Sequence, residues 1–225
     1  MKISLIKAGK RFNRDWIFRN VTYEFTAGNA YAITGPNGSG KSTLLQVIGG
    51  ALMMSEGVLD YQVNGQVGNN SNAAGPAKVG KSDPDLLFRH IAIAAPYLEV
   101  IEEMSVTEFL HFHTSFKPFL PAISIEEAIR VVGLEKAAHK QIRFYSSGMR
   151  QRVKLAQAIF SDVPCILLDE PCTNLDAEGI ALYQQLIRDY CSDRLVIVSS
   201  NDLQEYGFCN ETISILDYKQ TKPVG

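Results

Sequence analysis

Residues 35–42 read Gly-Pro-Asn-Gly-Ser-Gly-Lys-Ser and fit the pattern GxxxxGK[S/T], which decides the fold of this chain. The short apolar run AYAIT at 30–34 precedes the pattern, and apolar residues at helical spacing follow it over 41–52. Glycines between a strand and a helix let the backbone wrap an anion, so that its N–H groups and the helix N-terminus converge on phosphate oxygens. The pattern therefore predicts a phosphate-binding loop made of Gly35, Pro36, Asn37, Gly38, Ser39, Gly40, Lys41, Ser42 and Thr43.

The last residues of this loop carry distinct chemistry. Lys41 is expected to reach the β- and γ-phosphates of a nucleotide, and the Ser42 hydroxyl is expected to bind Mg²⁺. The alternative is a glycine-rich turn that binds no ligand. The strand before the loop and the helix after it favour nucleotide binding over that alternative.

A second motif, Ile-Leu-Leu-Asp-Glu at 166–170, places two acids directly after a buried apolar run. Asp169 would hold Mg²⁺, directly or through water, and Glu170 would act as the general base that polarises the attacking water. Such a run before two acids is often only the end of a strand. Together with the phosphate loop, however, it indicates nucleotide hydrolysis.

The order of patterns along the chain predicts an α/β fold with a parallel sheet. Alternating apolar residues near the N-terminus predict strands, and the Gly-, Asn- and Ser-rich segment 62–84 is expected to be an exposed, mobile excursion. The further predictions are strands at 88–95, 194–200 and 212–216, and helices at 124–132 (opened by a Ser124 capping box), 147–160 and 178–191. We expect a single domain over 1–225, with a core from 1–96 and 161–225 and a helical subdomain from 97–160.

Composition excludes several other classes of protein. The 225 residues are 46% hydrophobic and 20% charged, with 22 basic and 24 acidic side chains and a net charge of −2. This balance excludes a disordered chain and argues against nucleic acid as a direct partner. The apolar runs are shorter than the roughly 20 residues of a membrane-spanning helix. Four cysteines without CxxC spacing are typical of reduced thiols, so a cytoplasmic location is expected.

A third motif, Tyr-Ser-Ser-Gly-Met at 145–149, leads into the helix at 147–160. As a bare string it could be an ordinary helix cap. Its position one helix ahead of the acidic strand favours a functional motif over an ordinary cap. With the phosphate loop, the acidic strand and Asn-Leu-Asp at 174–176, the chain resembles the ATP-binding-cassette (ABC) ATPases over nearly its whole length.

The resemblance implies a P-loop NTPase (RecA-like) core with a parallel sheet, an N-terminal antiparallel β portion and an inserted helical subdomain. It also implies ATP and Mg²⁺ as cofactors and a head-to-tail pair of cassettes, in which the signature of one contacts the nucleotide of the other. Asp176 would communicate between the two sites. Phe12 would stack on adenine, with Trp16 as the alternative and an ordinary core or surface aromatic as a third possibility. The signature residues are Ser146, Ser147, Gly148 and Met149.

Two positions depart from the family pattern. Tyr97 stands where the family has a glutamine, and Asn201 stands at the position of the catalytic switch histidine. Asparagine can hydrogen-bond a phosphate oxygen but cannot carry a proton or a positive charge. Because Glu170 is retained, we expect ATP hydrolysis to persist at a reduced rate.

These features predict the ATP-binding and ATP-hydrolysing subunit of an ABC transporter. It would pair as a homodimer or heterodimer, lie at the cytoplasmic face of the membrane and power a separate permease that docks on 97–160. One alternative is a soluble ATPase of the same family that is not coupled to transport. Another is a weakly active regulatory subunit, which Tyr97 and Asn201 favour.

Overall fold

A computed structural model describes residues 1–63 and 87–219 and contains two β-sheets. The strands are β1 (Lys2–Phe12), β2 (Asp15–Thr26), β3 (Ala30–Thr34), β4 (Glu56–Gln62), β5 (Ile91–Ala94), β6 (Cys165–Asp169), β7 (Leu195–Ser199) and β8 (Glu211–Ser214). The helices are α1 (Lys41–Ile48), α2 (Val106–Thr114), α3 (Ile125–Val131), α4 (Ser147–Phe160), α5 (Ala177–Tyr190) and α6 (Leu203–Tyr206). The predicted excursion at 62–84 lies almost entirely outside the described residues.

The larger sheet is parallel, with the strand order β5-β6-β7-β3-β8. Strands β6 and β7 are buried along their whole length, as expected for apolar runs covered on both faces. Leu167 and Ile197 pack on one face with α1 and the smaller sheet, whereas Leu168 and Val198 pack on the other with α4 and α5. This arrangement confirms the predicted α/β fold.

The smaller sheet is antiparallel, with β1 between β2 and β4. Ile3, Leu5 and Phe25 are buried, while intervening residues such as Glu24 are exposed, which is the pattern of a sheet with one covered face. The predicted N-terminal antiparallel portion is therefore confirmed.

Three predicted elements end or begin at least two residues away from the predicted position, each for a local reason. Helix α1 stops at Ile48 rather than at 52, and Gly50 soon after it has a φ of 71°, which does not continue a helix. Residues 88–90 form a 3₁₀ turn, and β5 starts at Ile91, opposite the first residue of β6. Strand β8 ends at Ser214, opposite the last residue of β3, and a 3₁₀ turn follows it.

Helices α2, α3 and α4 lie between β5 and β6 along the chain. Ser124 caps α3 as predicted, but the Glu127 carboxylate binds Arg130 instead of completing a capping box. A complete capping box opens α2, where Ser105 and Glu108 bind each other's backbone N–H groups. None of the helices within 1–63 and 87–219 is both long and apolar enough to cross a bilayer.

Three cationic side chains tie this helical segment to the rest of the fold through backbone carbonyls, and we call them the carbonyl-bound cations. Lys117 Nζ donates to the Ile91 carbonyl at 2.6 Å, and Lys154 Nζ donates to the Pro96 carbonyl at 3.1 Å. Buried Arg194, just before β7, donates to the carbonyls of Ile159 at 2.7 Å and Ser161 at 2.9 Å. Each of these contacts joins residues that are at least 26 positions apart in the sequence.

Candidate functional site

The predicted site residues lie at the carboxyl ends of three neighbouring parallel strands. Asp169 ends β6, Asn201 follows β7, and the phosphate loop follows β3. Since these strands are adjacent in the order β6-β7-β3, their loops meet at one edge of the sheet. This edge is where open α/β sheets bind their ligands.

The phosphate loop needs glycine for two separate reasons. Gly38 has a φ of 74° with open space around it, so its backbone conformation alone favours glycine. Gly40 has a φ of 106°, and a Cβ atom there would lie 2.4 Å from Cγ2 of Ile17 in β2. The antiparallel sheet thus packs directly against the phosphate loop.

Lys41 begins α1 and points into this loop. It is only 4% exposed, and its Nζ atom donates to the carbonyls of Gly35 at 2.9 Å and Pro36 at 3.4 Å. The residue before it, Gly40, has no side chain to accept hydrogen bonds from the first N–H groups of α1. A buried cation and a helix N-terminus therefore face the same loop, which suits a phosphate group.

The surroundings of Asp169 indicate whether the site suits a bound cation. The residue is 2% exposed, and among the described residues its Oδ1 atom finds no hydrogen-bond partner. A buried carboxylate oxygen without a partner is unfavourable unless a cation or another donor binds it. Carboxylate and hydroxyl oxygens are ligands that suit Mg²⁺, and Ser42 offers a hydroxyl in the first turn of α1. The residues present therefore fit a magnesium ion.

Tyr97 lies three residues after β5, next to the end of β6. Burial and the neighbouring Asp169 carboxylate raise the pKa of the Tyr97 phenol, and a hydrogen bond with the Gln46 side chain of α1 opposes this shift. The phenol thus lies between the acidic strand and the helix of the phosphate loop. The assignment of Tyr97 to the family's glutamine position stays a prediction from the sequence.

Glu170 follows Asp169 in an unusual backbone conformation. Its φ of 43° is left-handed, which is uncommon for a residue with a side chain and is often found at functional sites. The Glu170 N–H donates to the Ser199 carbonyl at 2.9 Å, and its own carbonyl accepts from the Thr173 N–H at 3.1 Å. A tight turn at 170–173 therefore orients the predicted general base.

Asn201 reaches the phosphate loop directly. Its side-chain Nδ2 atom donates to Oδ1 of Asn37 at 3.3 Å, across 164 positions of sequence. Its side chain is exposed at the open edge of the sheet. The structure therefore brings Asn201 and the phosphate loop together.

Sequence patterns did not predict a role for Glu205, in α6. Its side chain is 5% exposed and accepts hydrogen bonds from the Cys172 N–H at 2.7 Å and from the Ser200 hydroxyl. Burial raises the pKa of Glu205, although these two hydrogen bonds oppose the shift. The partners lie 33 and 5 positions away, so no local motif marks this contact.

The signature residues form the start of α4. Ser146 caps the helix by accepting a hydrogen bond from the Met149 N–H at 3.2 Å, and both Ser146 and Ser147 are exposed. A Cβ atom at Gly148 would lie 3.0 Å from the Asn174 carbonyl oxygen, so the helix approaches the 174–176 motif closely.

One further contact links this region to the turn after the acidic strand, and another caps α5. Buried Gln151 of α4 donates to the Pro171 carbonyl at 2.7 Å. Asp176 caps α5 by accepting from the Gly179 N–H at 2.8 Å. The signature helix, the turn that contains Glu170 and the 174–176 motif are thus packed as one unit.

The two candidate adenine-binding aromatics differ in their surroundings. Phe12 is 46% exposed at the end of β1, with Lys10 Nζ 4.9 Å from its ring centre. The Trp16 ring is flanked by the guanidinium groups of Arg11 at 5.6 Å and Arg19 at 4.5 Å.

Comparison with known proteins agrees with this arrangement. A family model described as ABC transporter matches residues 18–173. The cytochrome c biogenesis ATP-binding export proteins CcmA of Xylella fastidiosa and Mesorhizobium japonicum are each 32% identical to the chain. The first match covers 73% of this chain and 67% of the relative, and the second covers 83% and 85%.

Solved structures share the fold. A dimeric ATP-binding cassette in a post-hydrolysis state with ADP and phosphate superposes with a TM-score of 0.77 and 24% identity, covering 98% of this chain and 97% of that one. An ATP-binding protein of a putative ABC transporter from Pyrococcus furiosus gives a TM-score of 0.77 and 20% identity, covering 98% and 100%. The family match and the site geometry lead to one conclusion: the chain belongs to the ABC transporter family, as an ATP-binding and ATP-hydrolysing subunit.

Proposed function

We propose that this protein binds ATP with Mg²⁺ at the edge of its parallel sheet and uses the hydrolysis of ATP to drive a separate membrane permease. The observation that carries the proposal is the convergence of two buried, oppositely charged groups at that edge. Lys41 points into the phosphate loop, and the Asp169 carboxylate keeps an oxygen without a partner among the described residues.

Each residue has a proposed role in this reaction. Loop amides and Lys41 bind the β- and γ-phosphates, while Ser42 and Asp169 hold the magnesium ion, which supplies charge neutralisation when bound. Glu170 accepts a proton from the attacking water. Asn201 donates a hydrogen bond near the γ-phosphate. Thr43, in the first turn of α1, completes the phosphate-binding loop.

Phe12 is the proposed adenine-stacking residue. Its ring is exposed, and it lies at the tip of the sheet that packs on Gly40 through Ile17. Trp16 is less suited to this role, because two guanidinium groups already flank its ring.

A second cassette completes the site in this proposal, either a copy of this chain or a related one. Ser146, Ser147, Gly148 and Met149 would contact the nucleotide of that partner, and Asp176 would link the two sites. The exposed hydroxyls at the N-terminus of α4, a 14-residue helix, support this role because they can bind an anion there.

Family membership implies a membrane permease as the other partner. We propose that it docks at the cytoplasmic face, on the helical segment 97–160. A cleft of about 570 Å³ between the residues after β5 and helix α4, lined by Glu99, Glu102, Arg150 and Lys154 among others, supports this placement. The names of the CcmA relatives support export as the direction of transport.

The deciding experiment compares ATP binding by the wild type, Lys41→Ala and Lys136→Ala in isothermal titration with Mg²⁺. Lys136 is exposed in the helical segment and serves as the charge-matched control. Loss of charge-assisted hydrogen bonds worth about 1.5–3 kcal/mol each should weaken binding by Lys41→Ala at least tenfold. Equal affinity of all three proteins would refute the phosphate-loop assignment.

A regulatory subunit that binds ATP but hardly hydrolyses it is the second candidate. The neutral Asn201 beside the phosphate loop and the phenol of Tyr97 beside Asp169 favour this alternative. Steady-state phosphate release by the wild type distinguishes the two, since the transport subunit must turn over and the regulatory subunit need not.

A further inference from the structure

Glu205 is a buried acid that the proposed reaction does not use. It is 5% exposed, and its two oxygens serve different parts of the site. One oxygen accepts from the Cys172 N–H at 2.7 Å, in the turn that begins with Glu170. The other accepts from the hydroxyl of Ser200, the residue before Asn201. A single carboxylate therefore bridges the loops that follow β6 and β7.

Two further hydrogen bonds lie next to this bridge. The Tyr183 hydroxyl of α5 donates to the Glu205 carbonyl at 2.7 Å, and Ser200 Oγ accepts from the Asp202 N–H at 2.9 Å. Because both Glu205 oxygens are already occupied by internal donors, the carboxylate is poorly placed to take a proton from a water molecule in the site. Its contacts suit a role in holding other groups in place.

We propose that Glu205 is a positioning residue for ATP hydrolysis, which fixes the turn of Glu170 relative to Asn201. This inference rests on the proposed function, because it takes Glu170 as the base and Asn201 as the phosphate contact. The left-handed conformation of Glu170 makes such a support necessary, since the turn would otherwise relax toward a commoner backbone geometry. Binding of ATP relies on the phosphate loop and does not depend on this bridge.

The test uses three variants. Glu205→Ala removes both acceptors, whereas Glu205→Gln can accept from the Cys172 N–H through Oε1 and donate to Ser200 Oγ through Nε2. Tyr183→Phe is the structural control, because it deletes the buried hydrogen bond to the Glu205 backbone and keeps the carboxylate. Each variant is assayed for kcat, ATP affinity and thermal stability.

We expect Glu205→Ala to lower kcat about 10- to 100-fold, the scale of a misplaced catalytic group. Its ATP affinity should stay within about twofold of wild type, and Glu205→Gln should recover most of the lost kcat. Tyr183→Phe should lose stability but keep kcat. The proposal is overturned if Glu205→Ala keeps wild-type kcat, if Glu205→Gln is as slow as Glu205→Ala, or if Tyr183→Phe slows turnover equally.

A double-mutant cycle tests whether Glu205 acts through Glu170. In a Glu170→Gln background, Glu205→Ala should cause little further loss of residual hydrolysis, because residues that act as a unit are not additive. Independent, additive losses would contradict the proposal. Should Glu205→Ala fail to fold, Ser200→Ala removes one arm of the bridge, and unchanged kcat in that variant would also contradict it. A wild type that does not bind ATP would instead refute the proposed function.

Discussion

Replacing Asn201 by alanine or histidine probes the most consequential departure from the family pattern. Asn201→Ala removes the Nδ2 donor that now bonds Asn37 at 3.3 Å. A neutral hydrogen bond contributes about 0.5–1.5 kcal/mol, and an exposed one should lie toward the low end, so kcat should fall about 2- to 10-fold.

Asn201→His should act in the opposite direction. A well-placed donor to developing phosphate charge is worth about 3 kcal/mol, roughly a hundredfold in rate. The Asn201 side chain is exposed, and its loop accommodates an amide rather than an imidazole, so we expect a gain of about 3- to 10-fold. ATP affinity should change little in either variant, because the phosphate loop supplies most of the binding contacts.

The assay is steady-state phosphate release at saturating ATP and Mg²⁺, at protein concentrations that support dimerisation. Asn210→Ala is the matched control. The Asn210 side chain accepts a 3.0 Å hydrogen bond from the Ala30 N–H, at the opposite end of the parallel sheet from the phosphate loop. If both Asn201 variants matched wild type and Asn210→Ala, Asn201 would not act at the γ-phosphate and its catalytic role would be refuted.

Two further changes test other parts of the site and fold. Glu170→Gln should keep ATP binding and block hydrolysis, so that an ATP-bound dimer accumulates; light scattering that shows only monomer at high ATP would count against the contacts of Ser146 and Gly148 across the dimer. Burial, aided by Lys117, lowers the pKa of His113 to about 4, so the folded state keeps the ring neutral. The unfolded ring titrates near 6.5, so the contribution of His113 to the free energy of unfolding is complete above about pH 6.5. As the pH falls toward 4, the free energy of unfolding should decrease by about 1–3 kcal/mol. His113→Gln, which can still bond Ser161, should flatten this dependence in urea titrations, and an identical pH profile would contradict the assignment.

Most of the site residues that the sequence predicted belong to short local motifs. The phosphate loop, the acids at the end of β6 and the Ser146 cap of α4 each depend on residues within a few positions of one another. Their backbone chemistry is therefore visible in a short string. The capping box of Ser105 and Glu108 was equally visible, and its S-x-x-E spacing would have predicted the start of α2.

Contacts between distant segments could not be predicted in this way. Asn201 meets Asn37 because β7 pairs beside β3, and Glu205 meets Cys172 because α6 packs beside the end of β6. Neither contact has a sequence spacing that identifies it. The ends of β5 and β8 were also set by the lengths of their neighbours rather than by their own residues.

The carbonyl-bound cations have a consequence for how the helical segment can move. Lys117, Lys154 and Arg194 make these contacts with backbone dipoles, whose attraction is short-ranged and is not set by a partner's protonation. Lys154 Nζ contacts two adjacent carbonyls, of Ala95 at 3.3 Å and Pro96 at 3.1 Å, so one of them can remain bound when the segment tilts against the sheet. At these three contacts, tilting separates no pair of opposite formal charges. These three contacts should therefore hold the helical segment in much the same way at low and at high ionic strength.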